Sequence, residues 1–210
     1  MLVNEAYKNW SATYDSDRNL TRDLDQQVTR RTFETQRFKS ILEIGCGTGK
    51  NTAFLASIAN KMLALDFSEQ MIEKAKHKSS TDNVTFRVAD ITDPWLVADR
   101  SIDLVTCNLV LEHVEDLGFV FGEAARVLIE GGNLFVSELH PFRQYQGVVA
   151  RFERNNERIE IPAFVHHISD FLNAAAGNNL ALSSMKEMWH AEDENKPPRL
   201  ISFLFGKLGN

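Results

Sequence analysis

Between residues 40 and 139, short apolar runs alternate with amphipathic segments, and this alternation constrains the possible fold more than any other feature. The apolar runs predict strands at residues 40–45, 61–66, 83–90, 102–108 and 132–139. The segments between them predict helices at residues 51–59, 68–77 and 116–128, the second beginning with the favourable N-cap residue Ser68. Strands separated by helices pair in parallel and are covered on both faces, so the pattern predicts an α/β fold.

The last 45 residues have a different pattern. Residues 166–180 predict a helix that stops near Gly177, and residues 181–189 and 199–208 predict strands joined by a polar loop. Two neighbouring strands with such a connection form an antiparallel hairpin. We therefore expect this hairpin at one edge of the sheet.

Composition limits the classes of partner. Lys and Arg number 23 against 29 Asp and Glu, a net charge of -6, which disfavours a nucleic-acid backbone or an anionic membrane as the main partner. The cysteines, Cys46 and Cys107, make no disulfide framework, and no apolar run reaches the roughly 20 residues of a membrane span. The first residues lack the pattern of a secretory signal, so we expect a protein of the reducing cytoplasm.

The glycine-rich segment "EIGCGTGKN" (residues 43–51) follows the first predicted strand and begins a helix. It does not fit a P-loop, because Ile44 replaces the first glycine and Asn51 replaces Ser or Thr. It fits the dinucleotide fingerprint only in part, because Lys50 occupies the last glycine position. The pattern acidic-x-G-x-G-x-G is matched throughout from Glu43 to Gly49. Such a turn allows a ligand to approach the backbone amides at a helix start.

Polar residues also end the next strands. Asp66 ends the second strand, Asp90 the third and Asn108 the fourth. In parallel sheets of this class, ligands bind at the carboxyl edge of the strands. A carboxylate at Asp66 can accept hydrogen bonds from both hydroxyls of a ribose, and Asp90 can reach an adenine amino group. A single residue of this kind is weak evidence for a ligand site. The three residues at successive strand ends, taken together with the glycine turn, predict a nucleoside-binding site.

Together, the segment from Glu43 to Gly49, Asp66, Asp90 and "NLVLEHV" (residues 108–114) resemble the class I S-adenosylmethionine-dependent methyltransferases, most closely the small-molecule "type 11" group. The resemblance covers about residues 7–206. It implies a Rossmann-like, doubly wound seven-stranded sheet in the order 3-2-1-4-5-7-6, with strand 7 antiparallel and an N-terminal helical lid. It also implies S-adenosylmethionine as cofactor, S-adenosylhomocysteine as product and a small-molecule methyl acceptor.

The resemblance assigns roles to particular positions. Gly45 and Gly47 would approach the methionine part of the cofactor, Asp66 would hold the ribose, and Asn108 would line the methionine side. Phe67 would pack on the adenine, and Asp90 and Ile91 would address its edge. The full predicted cofactor-binding set is Tyr14, Glu43, Gly45, Cys46, Gly47, Gly49, Asp66, Phe67, Met71, Asp90, Ile91, Asn108 and Leu109.

Aromatic residues near the N-terminus predict the lid. Tyr7, Trp10 and Tyr14 are spaced i, i+3 and i+7, so they would share one helical face. That face could cover the cofactor, and the resemblance assigns the cofactor contact to Tyr14. The alternative is that the face only packs on the rest of the protein.

Methyl transfer from a sulfonium mainly requires positioning of the acceptor, and a base is needed only if the acceptor must lose a proton. His113 and His140 are the candidate catalytic residues, because they follow the fourth and fifth strands. Arg143 and Tyr145, in the loop "HPFRQYQG", are candidates for contact with the acceptor. For Arg143 the alternative is a surface ion pair, and for His113 a role that only shapes the pocket.

Other polar residues carry weaker signals. His166 and His167 begin a predicted helix, where packing at the helix start is the simplest interpretation. The charged segment 150–162 predicts a solvated face. No residue spacing indicates a metal site, and we predict none.

The length of 210 residues suits one domain, which we divide into an N-terminal helical lid (1–38), a cofactor-binding core (39–139), an acceptor-side segment (140–165) and a C-terminal helix and hairpin (166–210). Three alternative functions remain open: methylation of tRNA or protein, binding of S-adenosylmethionine without catalysis, and nicotinamide-dependent oxidoreduction, which Lys50 disfavours. The acceptor, the methylated atom and the oligomeric state are not specified by the sequence.

Overall fold

A central sheet organises the computed structural model, which describes residues 3–11, 13–79, 81–154 and 157–209. The strands are β1 (Phe38–Ile44), β2 (Ala59–Asp66), β3 (Val84–Val88), β4 (Ile102–Asn108), β5 (Leu128–Leu139), β6 (Arg151–Arg154), β7 (Glu157–Glu160), β8 (Leu180–Met188) and β9 (Leu200–Lys207). The helices are α1 (Val3–Trp10), α2 (Leu20–Phe33), α3 (Thr52–Ser57), α4 (Glu69–Lys78), α5 (Leu117–Val127), α6 (Pro141–Tyr145) and α7 (Ile168–Ala176).

The topology of the sheet agrees with the prediction. Among the described residues, seven strands pair in the order β3-β2-β1-β4-β5-β9-β8. The first five are parallel, and β9 runs antiparallel between β5 and β8. Since β8 and β9 are the sixth and seventh strands of this sheet along the chain, the predicted order 3-2-1-4-5-7-6 is confirmed. The fold therefore brings the carboxyl ends of β1, β2 and β4 to one edge.

Both faces of the sheet are buried. Leu104 and Val105, neighbours in β4, are 0% exposed and belong to different apolar clusters, because successive side chains of a strand point to opposite faces. Helices α5 and α7 cover the Val105 face, with Phe121 and Phe171 in the cluster. Helices α2, α3 and α4 cover the Leu104 face. This two-sided burial explains why the core strands are continuously apolar.

Predicted helix boundaries are correct where a side chain caps the helix. Ser68 Oγ accepts a hydrogen bond from Met71 N at the start of α4, and Asp116 Oδ1 accepts one from Phe119 N at the start of α5. The predicted helix 51–59 is too long: α3 ends at Ser57, and β2 already begins at Ala59. Asn51 makes no side-chain cap of α3: its backbone is already helical, with φ -91° and ψ -25°, and its Nδ2 donates to Asp25.

The N-terminal segment folds differently from the prediction. Helix α1 ends at Trp10, so Tyr14 does not lie on a helical face with Tyr7 and Trp10. The chain turns after α1, and the three rings still cluster, with Tyr14 centred 4.7 Å from Trp10. The predicted aromatic group therefore exists, but tertiary folding rather than helical spacing forms it.

The segment 150–162 is also corrected. It forms the hairpin of β6 and β7 rather than only a solvated face. Trp10 stacks on Phe152 with ring centroids 5.5 Å apart and planes 13° apart. Ala6 and Ile161 complete this buried cluster. The hairpin is therefore anchored on the N-terminal helix.

Across the described ranges, no helix combines the length and the apolar character that crossing a bilayer requires.

Candidate functional site

A cavity of about 450 Å³ opens at the carboxyl ends of β1, β2 and β4. It brings together twelve of the thirteen predicted cofactor-binding residues: Tyr14, Glu43, Gly45, Cys46, Gly47, Asp66, Phe67, Met71, Asp90, Ile91, Asn108 and Leu109. His113 lines it as well. We call this the main cavity.

The three glycines of the turn after β1 have different surroundings, although all have positive φ angles. A Cβ on Gly45 would lie 2.1 Å from Val110 Cγ2, whereas one on Gly47 would meet nothing within 4 Å. A Cβ on Gly49 would lie 3.2 Å from the Cα and Cβ atoms of Ala75 in α4. Gly49 does not line the main cavity, and the close approach of α4 leaves no room for a larger residue at this position.

Asp66 connects β2 to the glycine turn. Its carboxylate accepts hydrogen bonds from Gly47 N at 2.8 Å and from Ser68 N at 2.9 Å. Burial raises the pKa of Asp66 to about 6, and the two backbone hydrogen bonds oppose that shift. The carboxylate is thus held at a fixed position on the cavity wall.

A buried polar network lies beside the glycine turn. Asp25 of α2 accepts hydrogen bonds from Asn51 Nδ2 at 2.9 Å and from Asn108 Nδ2 at 2.7 Å. Asn108 Nδ2 also donates to Thr29 Oγ1. Within the described part of the chain, the buried Oδ1 atoms of Asn51 and Asn108 have no hydrogen-bond partner. Unpaired buried acceptors are costly, and here they suit a cationic ligand with N–H groups.

Two carboxyl groups add to the acceptor character of this wall. Burial raises the pKa of Glu43 to about 8, although its Oε2 accepts a hydrogen bond from Thr52 Oγ1 at 2.6 Å. Burial also raises the pKa of Asp25 above its ordinary value. A positive charge beside these groups would favour their ionised forms.

Sequence reasoning missed Asp25 and Asn51 as lining residues. The signal that could have found Asp25 is the i, i+3, i+7 spacing of Arg22, Asp25 and Thr29, which are all buried in α2. A polar stripe at that spacing beside an apolar face indicates a buried polar contact. Asn51 gave no comparable signal, because its partner comes from another helix.

The turn after β4 is fixed by β5. Leu109 has a φ of 57°, a left-handed conformation that is strained for a residue with a side chain. Its N–H donates to Ser137 O, and Glu138 Oε1 accepts hydrogen bonds from Val110 N and Leu111 N, both at 2.9 Å. Burial raises the pKa of Glu138 to about 8. These contacts compensate for the strain and position the segment that carries Glu112 and His113.

His113 joins the N-terminal helix to this turn. Its Nδ1 lies 3.1 Å from Pro162 O, to which it donates, and its Nε2 accepts from the Tyr7 hydroxyl at 2.8 Å. Burial lowers the pKa of His113 and raises that of Tyr7. The imidazole is therefore neutral, and both its nitrogens are engaged.

His140, Arg143 and Tyr145, the predicted catalytic and acceptor residues after β5, do not line the main cavity. The buried His140 caps α6, since its Nδ1 accepts from Phe142 N, while its Nε2 lies 2.8 Å from Glu187 Oε1. Arg143 donates to the carbonyls of Pro197 and Pro198.

Tyr145 is 55% exposed and hydrogen-bonds His167 Nδ1 at 2.7 Å. The physical reason for the contacts of all three residues is that α6 begins directly after β5, which directs these side chains towards the helix cap and the C-terminal loops. His166 Nε2 contacts Leu111 O and Val114 O, in agreement with a packing role.

A second cavity of about 320 Å³ adjoins the main cavity. The two share Tyr7, Tyr14, Arg22 and Leu109 as lining residues. Residues 148–151 of the acceptor-side segment line this second cavity, whereas the predicted residues His140, Arg143 and Tyr145 do not.

Comparison with known proteins identifies related sequences. Residues 42–136 match the model of a methyltransferase-domain family. Phosphoethanolamine N-methyltransferase 1 of Triticum aestivum is 35% identical over 105 residues, covering 48% of this chain and 21% of the relative. The malonyl-[acyl-carrier protein] O-methyltransferase of Hamiltonella defensa subsp. Acyrthosiphon pisum is 29% identical over 137 residues, covering 65% and 52%. The matched part of the chain thus spans about half of the length of the second relative and about a fifth of the length of the first.

A solved structure shares the fold. The N-methyltransferase NodS from Bradyrhizobium japonicum WM9, in complex with S-adenosylhomocysteine, superposes with a TM-score of 0.75 and covers 99% of both chains. The sequences are 17% identical, so this likeness establishes the fold alone.

Proposed function

We propose that the chain is a class I S-adenosylmethionine-dependent methyltransferase that transfers the methyl group of this cofactor to a small-molecule acceptor, in agreement with the methyltransferase-domain family that residues 42–136 match. One observation carries the proposal: Asp66, Asn51 and Asn108 line the same cavity, and the buried Oδ1 atoms of the two asparagines have no hydrogen-bond partner among the described residues. A nucleoside with a cationic amino-acid tail requires both kinds of acceptor.

The main cavity fits the cofactor in size and chemistry. About 450 Å³ lies within the roughly 300–1,000 Å³ of small-molecule sites. Asp66 would accept the ribose hydroxyls, while Asn51, Asn108 and Asp25 would surround the ammonium group of the methionine part. Phe67 and Ile91 would line the adenine end of the cavity, in the roles that the family resemblance assigns to them.

The cofactor supplies the reactive methyl group, so the protein needs mainly to position the acceptor. The second cavity offers room for a small molecule next to the main cavity. The two relatives are named for different acceptors, phosphoethanolamine and malonyl-[acyl-carrier protein], so their names do not specify the acceptor of this chain.

Binding of S-adenosylmethionine and of S-adenosylhomocysteine is expected to stabilise the protein by about 2.7 kcal/mol when the ligand is at 100 times its Kd. Thermal shift measures this, with NAD as the control ligand. Stabilisation by NAD and by neither sulfur compound would overturn the proposal. Stabilisation without formation of S-adenosylhomocysteine from any acceptor would instead indicate a binding module without catalysis.

Cofactor affinity is expected to fall as the pH is lowered through about 6, the pKa of Asp66. The protonated carboxyl accepts ribose hydroxyls less well, and below its pKa each pH unit reduces the ionised fraction by about tenfold. Calorimetry between pH 7.5 and pH 5 measures the effect, with Asp66→Asn as the matched control because it has no ionisable group there. A wild-type affinity as independent of pH as that of Asp66→Asn would contradict the assignment.

A further inference from the structure

We propose that the second cavity binds the methyl acceptor, that the acceptor carries a carboxylate or phosphate group, and that Glu112 accepts the proton of the atom to be methylated. This inference rests on the proposed function and adds the acceptor site, the substrate class and a catalytic residue.

The position of the second cavity suits an acceptor. Tyr7, Tyr14 and Leu109 separate it from the main cavity and line both. A molecule bound there would be adjacent to a cofactor in the main cavity, with these shared side chains between them. About 320 Å³ is at the lower end of small-molecule sites, which excludes a folded macromolecule as the occupant of the cavity itself.

Arg22 gives the boundary between the cavities a buried positive charge. Its side chain is buried, and its guanidinium donates to the carbonyls of Tyr14 and Asp17 and lies 4.0 Å from the Tyr14 ring centroid. No described carboxylate pairs with Arg22, which lines both cavities. The uncompensated positive charge of this guanidinium favours an anionic ligand at the boundary.

The far wall is also positively charged. Asp193 is shared between two guanidinium groups, at 2.9 Å from Arg143 and 2.5 Å from Arg199, so this cluster has one excess positive charge. Burial opposes the shift, but hydrogen bonds from Arg199, from the His190 backbone and from Arg143 lower the pKa of Asp193 to about 2. Arg199 lines the cavity, and the exposed Arg151 stands at its rim. An anionic acceptor would offset this excess charge.

Glu112 is the carboxyl group that lines the second cavity among the described residues. It is 7% exposed, and its Oε2 has no hydrogen-bond partner in the described part of the chain. His113 Nε2 lies 3.7 Å from Oε1, Tyr7 and Glu138 are the other titratable groups near the carboxyl group, and the Gln144 side chain acts to lower its pKa. Burial raises the pKa of Glu112 to about 7, which suits a general base at neutral pH.

The proposed step balances without a further reagent. A lone pair of the acceptor oxygen or nitrogen forms the new bond to the methyl carbon as the carbon–sulfur bond breaks. The electron pair of that bond remains on sulfur, giving S-adenosylhomocysteine. The proton of the acceptor atom passes to Glu112 Oε2.

The first test measures anion binding to protein saturated with S-adenosylhomocysteine. Inorganic phosphate and benzoate are titrated by calorimetry, with benzamide as the neutral match for benzoate. We expect the anions to bind and benzamide to bind at least tenfold more weakly. We also expect Arg151→Gln to weaken anion binding at least tenfold, while the control Arg31→Gln, an exposed position in the last turn of α2, leaves it unchanged.

The outcomes separate the two proposals. Failure to bind S-adenosylhomocysteine would overturn the proposed function. Binding of S-adenosylhomocysteine without binding of either anion, or equal binding of benzoate and benzamide, would overturn the inferred acceptor class alone. Binding of phosphate but not of benzoate would assign the site to phosphate compounds, and the reverse result to carboxylates.

The second test concerns Glu112. Labelled methyl transfer is measured with small hydroxy acids, amino acids and phosphomonoesters and with their neutral amides or esters. We expect the kcat/KM of the wild-type protein to rise with pH through about 7. In Glu112→Gln we expect this rise to disappear and kcat to fall at least tenfold, while the variant still binds S-adenosylhomocysteine. If turnover and its pH profile are unchanged in Glu112→Gln, Glu112 is not the proton acceptor. A preference for neutral acceptors or for tRNA would overturn the proposal that the acceptor is a small molecule with a carboxylate or phosphate group. If Glu112→Gln does not fold, the wild-type pH profile is the deciding result for Glu112, because a kcat/KM that does not rise with pH through about 7 would overturn its role.

Discussion

The Asp66→Ala variant is expected to bind S-adenosylmethionine about 10- to 150-fold more weakly than the wild-type protein. The range follows from the ~1.5–3 kcal/mol that a hydrogen bond to a charged group contributes. The carboxylate is already held by Gly47 N and Ser68 N, so the free protein needs little rearrangement to present it to a ribose. Calorimetry at pH 7.5, above the Asp66 pKa of about 6, measures the difference.

The matched control for this variant is Asp82→Ala, which removes an exposed carboxylate just before β3. It should bind the cofactor as the wild-type protein does. Thermal unfolding of both variants shows whether loss of the two amide partners has damaged the fold. Equal cofactor affinity in folded Asp66→Ala and in the wild-type protein would contradict a direct role for Asp66.

The Gly45→Ala variant is expected to lose roughly 2–5 kcal/mol of unfolding free energy. About 1–2 kcal/mol comes from a side chain in the left-handed conformation, since φ is +69°. A further 1–3 kcal/mol or so comes from overpacking, because the added Cβ would lie 2.1 Å from Val110 Cγ2. Urea unfolding of the free protein measures this loss without any ligand.

Two companion variants separate the contributions. Gly47→Ala has the same backbone penalty with φ at +53°, but its Cβ would meet nothing within 4 Å, so it should lose only about 1–2 kcal/mol. Adding Val110→Ala to Gly45→Ala should recover part of the overpacking energy. The packing argument fails if Gly45→Ala and Gly47→Ala are equally stable.

The sequence predicted the residues whose position follows from strand direction. Asp66 and Asn108 end parallel strands, so their place at one edge of the sheet follows from the topology. Apolar runs, helix caps and the C-terminal hairpin are local signals, so the elements themselves could be predicted, whereas the order of the strands in the sheet was implied by the family resemblance. Gly49 shows the limit of the motif, since its contact with Ala75 depends on how α4 packs.

Residues whose orientation depends on distant partners could not be predicted. His140 and Arg143 follow β5 as expected, but their contacts come from Glu187 and from the loop near Asp193, about 50 positions away. Asp25 reaches Asn51 and Asn108 only because α2 packs across the strand ends. Sequence spacing contains no information about such contacts.

The stacking of Trp10 on Phe152 bears on how this protein could be engineered. The two rings belong to segments about 140 positions apart, yet with Ala6 and Ile161 they form one buried cluster. A chimaera that takes residues 3–19 from a relative while keeping the native β6–β7 hairpin would mismatch these surfaces and expose large aromatic side chains. The N-terminal segment and the hairpin are therefore best exchanged together, as a single cassette.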